Sequence, residues 1–507
     1  MIISLSVLVI TIIVSGTYAL YKAQLSKNIG VNTTTHGLAY YINYVKGTDI
    51  TAATLNPSTS YEGGASSDIE FWKKDDSYDI YGKIELTVNT IGTNLSNSPA
   101  LKYAVVNNGN VLKEGSLKGT TSGSKVTILK NLYLEQTKQI YTVYVWLDNS
   151  EELGNISNES LSISVDCTAS LQKEPTAADT IISLYTSAAK VTATNNSITY
   201  NTAPSVSLMN DRLGGTTTSL DGGNIRYYGA SPNNYIYFNC SDYSNQTSST
   251  CETWRIIGVF DGKLKLIRGS QIGKYSWDNK NTSTGAENNS GKNDWTTARL
   301  MKLLNPRDYY KVDSNDNNLG QSLYYNSASG KCYSGQNNAT VDCDFTSTGI
   351  KNDETRNMIA ETTYYLGGWN SYSVYPNEIY EYERGTTVYT GRPPTWPGKI
   401  ALAYPSDYGY AADLNQCKDK TLYDYDNSTC TSNNWMKAIL GTSSHGWLLT
   451  PRSGGSYNAW NVYSGGYVGS TYLAYYAIGA VPVLSLSSKL GIESGDGSSS
   501  NPYKLSA

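Results

Sequence analysis

Apolar and polar residues alternate at period two in many short stretches, the spacing that turns one face of a strand toward a core. KIELTVNTI (83–91), QIYTVYVWLDN (139–149) and LSISVDCTASL (161–171) follow it. LKYAVVNNGNVLKEGSL (101–117) holds two such runs around Asn108–Gly109, a dipeptide that predicts a two-residue hairpin. Together these strands predict a β-sandwich over residues 25–170. No paired carboxylates, activated nucleophile or glycine-rich phosphate loop stands out there.

The period then changes. EPTAADTIISLYTSAAK (174–190) predicts an amphipathic helix capped by Thr176, with Ile181, Leu184 and Tyr185 on one face. Polar Asn, Thr, Ser and Gly residues follow. Segment 171–223 therefore reads either as a helix and polar linker or as a helix packed on a neighbouring domain.

A second domain is expected over 224–490, with a C-terminal tail at 491–507. WRIIGVFDGKLKLIRG (254–269) predicts a hairpin turning at Asp261–Gly262. NDWTTARLMKLLNP (293–306) predicts a short helix capped by Asp294, with Ala298, Leu300, Met301 and Leu304 in the core. Asn305–Pro306 ends it. DETRNMIAETTYYL (353–366) reads as another helix, GKIALAYPSDYGYA (398–411) as a strand entering a turn. The fold class is thus mostly β with a few helices, all-β followed by α+β.

Composition sharpens this. A chain of 507 residues has room for two or three domains. Charged residues make up only 16%, and tyrosine outnumbers phenylalanine 44 to 4. Tyrosine and threonine suit a half-exposed pleated surface. The net charge of -4 offers no basic field for a phosphate backbone, so no nucleic-acid partner is expected.

Seven cysteines bear on compartment. Cys240 and Cys251 are eleven apart, as are Cys332 and Cys343, while Cys417 and Cys430 are thirteen apart. Each couple lies in a polar stretch, which reads as three local disulfides with Cys167 left over. Each bridge contributes about 2.5–3 kcal/mol in the loop-entropy model. Bridges imply an oxidising space. Zinc spacing is lacking, and His36 and His445 are the only histidines, so no metal or cofactor is expected. The start, MIISLSVLVITIIVSGTYAL, is apolar and uncharged. Residues 1–24 read as a signal peptide, with Ala19 near a cleavage point, or as a retained anchor giving the protein a membrane contact.

The segments of the second domain, taken in order, resemble the C-type-lectin-like fold of a bacterial surface-domain family of unknown function. WRIIGVF, NDWTTARLMKLLN, GKIALAYPSDYGYA, GWLLTPRSGGSYNAWNVYSGGYVG and GAVPVLSL carry the likeness, over about 205–487. The fold is shared by formylglycine-generating enzymes and by variable proteins diversified by retroelements. The family's closing strand usually holds an arginine where this chain has Val481, which puts a buried ion pair there in doubt. Residues 25–170 resemble camelysin-like and biofilm-fibre proteins of Gram-positive bacteria, on SGTYALYKAQLSKNIGV and YTVYVWLDN. The HExxH motif of metalloproteases is absent.

Enzyme readings find little support. Formylglycine-generating chemistry needs reactive cysteines late in the fold, and the last here, Cys430, has a disulfide partner to hand. His445 has no accompanying triad. The run DSNDNN from Asp313 resembles half a calcium loop, but it has Tyr324 at its twelfth position and no glycine at its sixth, so it reads as a solvated turn.

One stretch stands apart. Ser453 to Tyr476 holds six tyrosines, one tryptophan and no charge, amid Gly, Ser, Asn, Thr and Ala. Tyrosine supplies rigid contact area at low entropy cost, and Ser, Gly and Asn supply adaptable hydrogen bonds, the mixture used by antibody loops. In the resembled fold, loops before the final strand form an outward ligand surface. The expected ligand-binding residues are Tyr457, Asn458, Asn461, Tyr463, Tyr467, Tyr472, Tyr475 and Tyr476. Period two places Trp460 and Val462 inward, with Asn461 and Tyr463 outward. Plain sheet packing is the competing explanation, and adenine-directed diversification a sharper variant. The expected protein is a secreted or membrane-anchored surface receptor for an extracellular glycan or protein. A structural subunit of a matrix or fibre is the alternative, and an unrecognised enzyme of the formylglycine-generating fold the second.

Overall fold

The computed structural model describes residues 23–24, 38–51, 55–156, 159–212, 222–278, 290–311, 320–333, 341–442 and 445–506. The apolar start, except Ala23 and Gln24, and the acidic run from Asp313 lie outside the described residues. The chain divides into two units, 1–174 and 175–507, and it is mostly β with several short helices.

In the first unit, alternation does what it predicts. The strands are β1 (Ile42–Val45), β2 (Ala65–Lys73), β3 (Tyr81–Ile91), β4 (Leu101–Asn107), β5 (Asn110–Ser116), β6 (Lys125–Tyr133), β7 (Ile140–Asp148) and β8 (Leu161–Ser170). One sheet runs β8–β3–β6 and the other β1–β2–β7–β4–β5, with short strands added at each. Ile84, Leu86 and Val88 from one sheet share a core with Phe71, Val105, Val143 and Val145 from the other. Two sheets around one core make a sandwich. Asn108 and Gly109 both have positive φ, 49° and 77°, as the tight hairpin between β4 and β5 requires. Cys167, on β8, is buried in this core.

The second unit starts earlier than the sequence suggests. Helix α1 (Ala177–Ser187) is closed by a reciprocal box: Thr176 Oγ1 accepts from Asp179 N at 3.1 Å, and Asp179 Oδ2 from Thr176 N at 2.9 Å. Its face of Ile181 and Tyr185 packs among Ile225, Trp254 and Ile256. Strands β9 (Val191–Asn195), β10 (Ile198–Ala203) and β11 (Leu208–Asn210) then join the main sheet. Most of segment 171–223 is therefore part of the domain rather than a linker, because its apolar face finds cover there. The same holds for 491–507. Strands Gly491–Ser494 and Lys504–Ser506 pair, and Tyr503 and Leu505 lie in the core.

The main sheet continues through β12 (Ile225–Tyr227), β13 (Glu252–Phe260) and β14 (Lys263–Arg268) to β21 (Val483–Ser485). Asp261 and Gly262 turn the β13–β14 hairpin with φ of 49° and 69°. Helix α2 (Arg299–Leu304) follows a short 3₁₀ turn capped by Asp294, and Ala298, Leu300, Met301 and Leu304 are buried as expected. DETRNMIAETTYYL splits instead. Asp353–Met358 is helical, and Thr362–Tyr365, rich in β-branched and aromatic residues, pairs with β16 (Thr395–Gly398). Helix α3 (Pro405–Tyr410) follows a short strand at Ile400–Ala401.

A second sheet of this unit runs β15 (Gly273–Ser276), β20 (Ala477–Ala480), β17 (Gly446–Pro451), β18 (Asn458–Val462) and β19 (Val468–Leu473). It carries the tyrosine-rich stretch. The three expected disulfides, Cys240–Cys251, Cys332–Cys343 and Cys417–Cys430, all form, leaving Cys167 as a thiol.

Candidate functional site

Strands β18 and β19 form a hairpin in which Val462 faces Val468 and Asn461 faces Gly469. Trp460, Val462 and Val468 point into the core with Tyr408 and Leu448, as period two requires. Tyr463 lies half-buried on the opposite face. Asn461 shares that face but is fully buried, contrary to the outward position expected. Its pairing explains this. Trp447 stands opposite on β17 and Gly469 on β19. The ring of Tyr463 lies so close over Gly469 that a β-carbon there would stand 2.6 Å from Cε2. Neither polar atom of the Asn461 amide has a hydrogen-bond partner among the described residues.

Outside this layer the rings run on without a break. Tyr463 stacks on Tyr467 at 4.2 Å and 12°. Tyr463 meets Tyr472 edge-on at 5.3 Å, and Tyr472 meets Tyr476 at 5.3 Å. Tyr475 lies 4.8 Å from Tyr476. In the other direction Tyr467 contacts Tyr423 at 5.6 Å, and Tyr423 contacts Tyr372 at 4.6 Å. Offset and edge-on pairs of this kind are the favoured aromatic geometries. Tyr423 is 46% exposed and Tyr476 37%. Burial and the neighbouring phenols of Tyr463 and Tyr423 push the Tyr467 hydroxyl up, so it stays a neutral donor.

His445 sits beside Tyr463 and Tyr472, at 4.7 and 5.1 Å. Its Nδ1 accepts from the Ser464 amide at 3.0 Å, and burial lowers its pKa. Both features favour the neutral ring, with the proton on Nε2.

Two expected residues serve structure. Asn458 is buried and donates to the Thr471 carbonyl at 2.9 Å. Tyr457 makes no ring contact among the described residues, and its carbonyl accepts from Ala474 N at 2.8 Å. Asn293, from the NDWTTAR segment, holds the loop that ends at Tyr457 together with the first residue of β18, Asn458. Its Nδ2 reaches the carbonyls of Arg452, Gly455 and Asn458 at 3.0, 2.7 and 2.9 Å. Arg392 braces the same loop at the Ser456 carbonyl, 3.2 Å away.

Sequence reasoning missed Tyr372, Tyr423 and His445. They come from three separate segments, and a lone tyrosine carries no signal in a chain with 44 of them.

The strongest cluster of charge lies elsewhere. Arg226 bonds Asp211 at 2.5 Å and Asp407 at 3.0 Å, and Lys265 also reaches Asp407. Burial alone would raise the Asp407 carboxyl, but Lys265 and Arg226 hold it below its ordinary range. Glu383 is fully buried next to Ser406, and burial pushes it up to about 7. Val481 packs in an apolar cluster, and the buried Arg226 and Lys265 find their shared carboxylate, Asp407, on α3.

No protein-family model matches the chain, and no curated protein matches it. Among solved structures, one titled "Crystal structure of HCR/D F1240A mutant" covers 50% of this chain and 74% of its own, at 11% identity and a TM-score of 0.15. That score carries no argument about fold or function. Three disulfides fit an oxidising extracellular setting. Among the described residues no helix is long and apolar enough to cross a membrane.

Proposed function

We propose that this is a secreted or surface-anchored ligand-binding protein, whose second unit adopts a C-type-lectin-like role and takes a glycan or protein on its tyrosine face. The observation that carries this reading is the unbroken run from Tyr372 to Tyr475, seven phenol rings in contact. Sheet packing alone leaves Tyr423 and Tyr476 unexplained, since each exposes a large apolar ring to water. Phenol faces can stack on the apolar face of a sugar or on a protein side chain, while the hydroxyls donate and accept hydrogen bonds. Affinity then arises from contact area and neutral hydrogen bonds, with no covalent step.

The test is an array of glycans, mucins and matrix proteins probed with the full chain. Selective capture by one class, lost when Tyr423, Tyr467 and Tyr476 are changed to serine, is the expected result. Capture that ignores these changes, or no capture at all, removes the reading.

A fibre subunit is the second reading. Edge strand β5 exposes Val111 (44%) and Leu112 (40%), the kind of edge that can add a strand from another copy. Electron microscopy of purified protein distinguishes the two, because fibres without ligand capture favour assembly.

A further inference from the structure

The two central rings of the tyrosine face are placed for a chemistry other than binding. Tyr463 and Tyr467 close the turn between β18 and β19. Tyr463 N donates to the Tyr467 carbonyl at 2.9 Å, and Gly466 N donates to the Tyr463 carbonyl at 2.8 Å. Their rings lie face to face, 4.2 Å apart and 12° from parallel. Among the described residues no other two tyrosines stack this way, and the rest meet edge-on or tilted. A phenoxyl radical carries spin on the ring carbons beside the oxygen-bearing one, in p orbitals that point out of the ring face. Stacking aims those orbitals at each other, and reacting atoms held near contact react as one unit rather than by chance encounter. Gly465 and Gly466 separate the two rings in the chain, and glycine backbone leaves the turn free to follow the rings as they twist.

The pair is connected to the surface at both ends. Tyr423, 46% exposed, meets Tyr467 at 5.6 Å. Tyr476, 37% exposed, meets Tyr472 at 5.3 Å, and Tyr472 meets Tyr463 at 5.3 Å. An electron and a proton lost at either end can be replaced from the next phenol inward, so the deficit moves toward the stacked pair. The three disulfides fit an oxidising setting, in which such losses occur.

We infer that Tyr463 and Tyr467 are a modification site, an intrachain dityrosine pair oxidised by peroxide-derived one-electron oxidants that act through Tyr423 and Tyr476. One peroxide takes a hydrogen atom from each phenol and leaves as two waters. The two ring carbons then bond, and the hydrogens they carried move to the oxygens, restoring both phenols. The inference does not depend on the ligand-binding reading, because no ligand takes part.

The full chain treated with hydrogen peroxide and a haem peroxidase, then digested and mapped by tandem mass spectrometry, tests this. Dityrosine fluorescence is expected in the monomer, with a peptide lighter by two hydrogens that yields no backbone fragments between Tyr463 and Tyr467. Tyr467→Phe keeps the ring, removes the phenol and is expected to abolish this product at an unchanged melt. A variant carrying Tyr423→Phe and Tyr476→Phe keeps the pair and is expected to form the product more slowly. Ring area is retained in both variants, so capture of a glycan or protein is read on them separately. Preferential coupling of Tyr78, 44% exposed, with Tyr41, 4.9 Å away, overturns the proposal. So does oxidation that ends on Trp447, 6.3 Å beyond Tyr472. Absence of coupling, or an unchanged rate in the Tyr423 and Tyr476 variant, overturns it as well.

Discussion

Glu383 shows what a single buried group does to the pH dependence of the fold. Burial raises its carboxyl from the ordinary 4.5 to about 7. The folded state therefore holds a proton that the unfolded chain has already released between those values. Stability from this group is full below the lower value and falls as pH rises toward about 7. Asp407, held low by its cations, acts in the opposite sense and only at the acid end. Melting curves across this window are expected to show the decline in wild type, and Glu383→Gln to flatten it. An unchanged slope in the variant would assign the decline to another group. Cys167 gives a second residue-scale prediction. Burial drives its thiol well above the ordinary range, so a thiol reagent is expected to label it only after denaturation. The sequence told us that one cysteine was left over. Its place was legible too: Leu161, Ile163, Val165, Cys167 and Ala169 alternate with polar residues, so period two puts the thiol on the core face of β8.

At the scale of elements, the turns were the most legible features. Asn108–Gly109 and Asp261–Gly262 specify left-handed backbone locally, so both hairpins could be read without knowing what they pack against. Asn461 marks the limit of such reading. Period two gives its face, but whether that face meets water depends on Trp447 and on a ring folded back over Gly469. Gly469→Ala is expected to displace Tyr463, reducing the near-UV circular dichroism of the stacked pair. An identical aromatic spectrum would show that the ring has room to spare. The loop before β18 depends on Asn293 in a way no motif announced. Asn293→Ala removes an amide whose two N–H groups are shared among three carbonyls and is expected to destabilise the second unit by about 1–3 kcal/mol in denaturant titration. A loss near zero would mean that Arg392 alone holds the loop.

For the whole molecule, the boundary between the two units fell where the sequence offered alternatives. The helix at 177–187 was readable from its cap and its apolar face, yet its partner was not, since amphipathicity says that a face is covered and not by what. The C-terminal strand pair escaped notice because Gly, Ser and Asp surround its few apolar residues. Disulfides divide the units chemically. All three bridges lie in the second unit, and the first has none among the described residues. A reductant is expected to lower the melting transition of the second unit and leave that of the sandwich in place. Equal shifts in both would contradict this division. The tyrosine face belongs to the same scale, because its rings come from the β18–β19 turn, β19, the β19–β20 turn, a distant loop and the short 3₁₀ helix Leu422–Asp424. Composition named the stretch between Ser453 and Tyr476. Only the fold could add Tyr372, Tyr423 and His445.

The most direct measurement compares the dissociation constants of the full chain, and of its Tyr423→Ser, Tyr467→Ser and Tyr476→Ser triple variant, for the strongest array ligand. Both proteins are melted alongside to check folding. We expect the variant to bind at least about tenfold more weakly at an unchanged melting temperature, as the loss of central aromatic contacts predicts. Equal affinity in a folded variant would contradict the account and leave the rings as sheet cover.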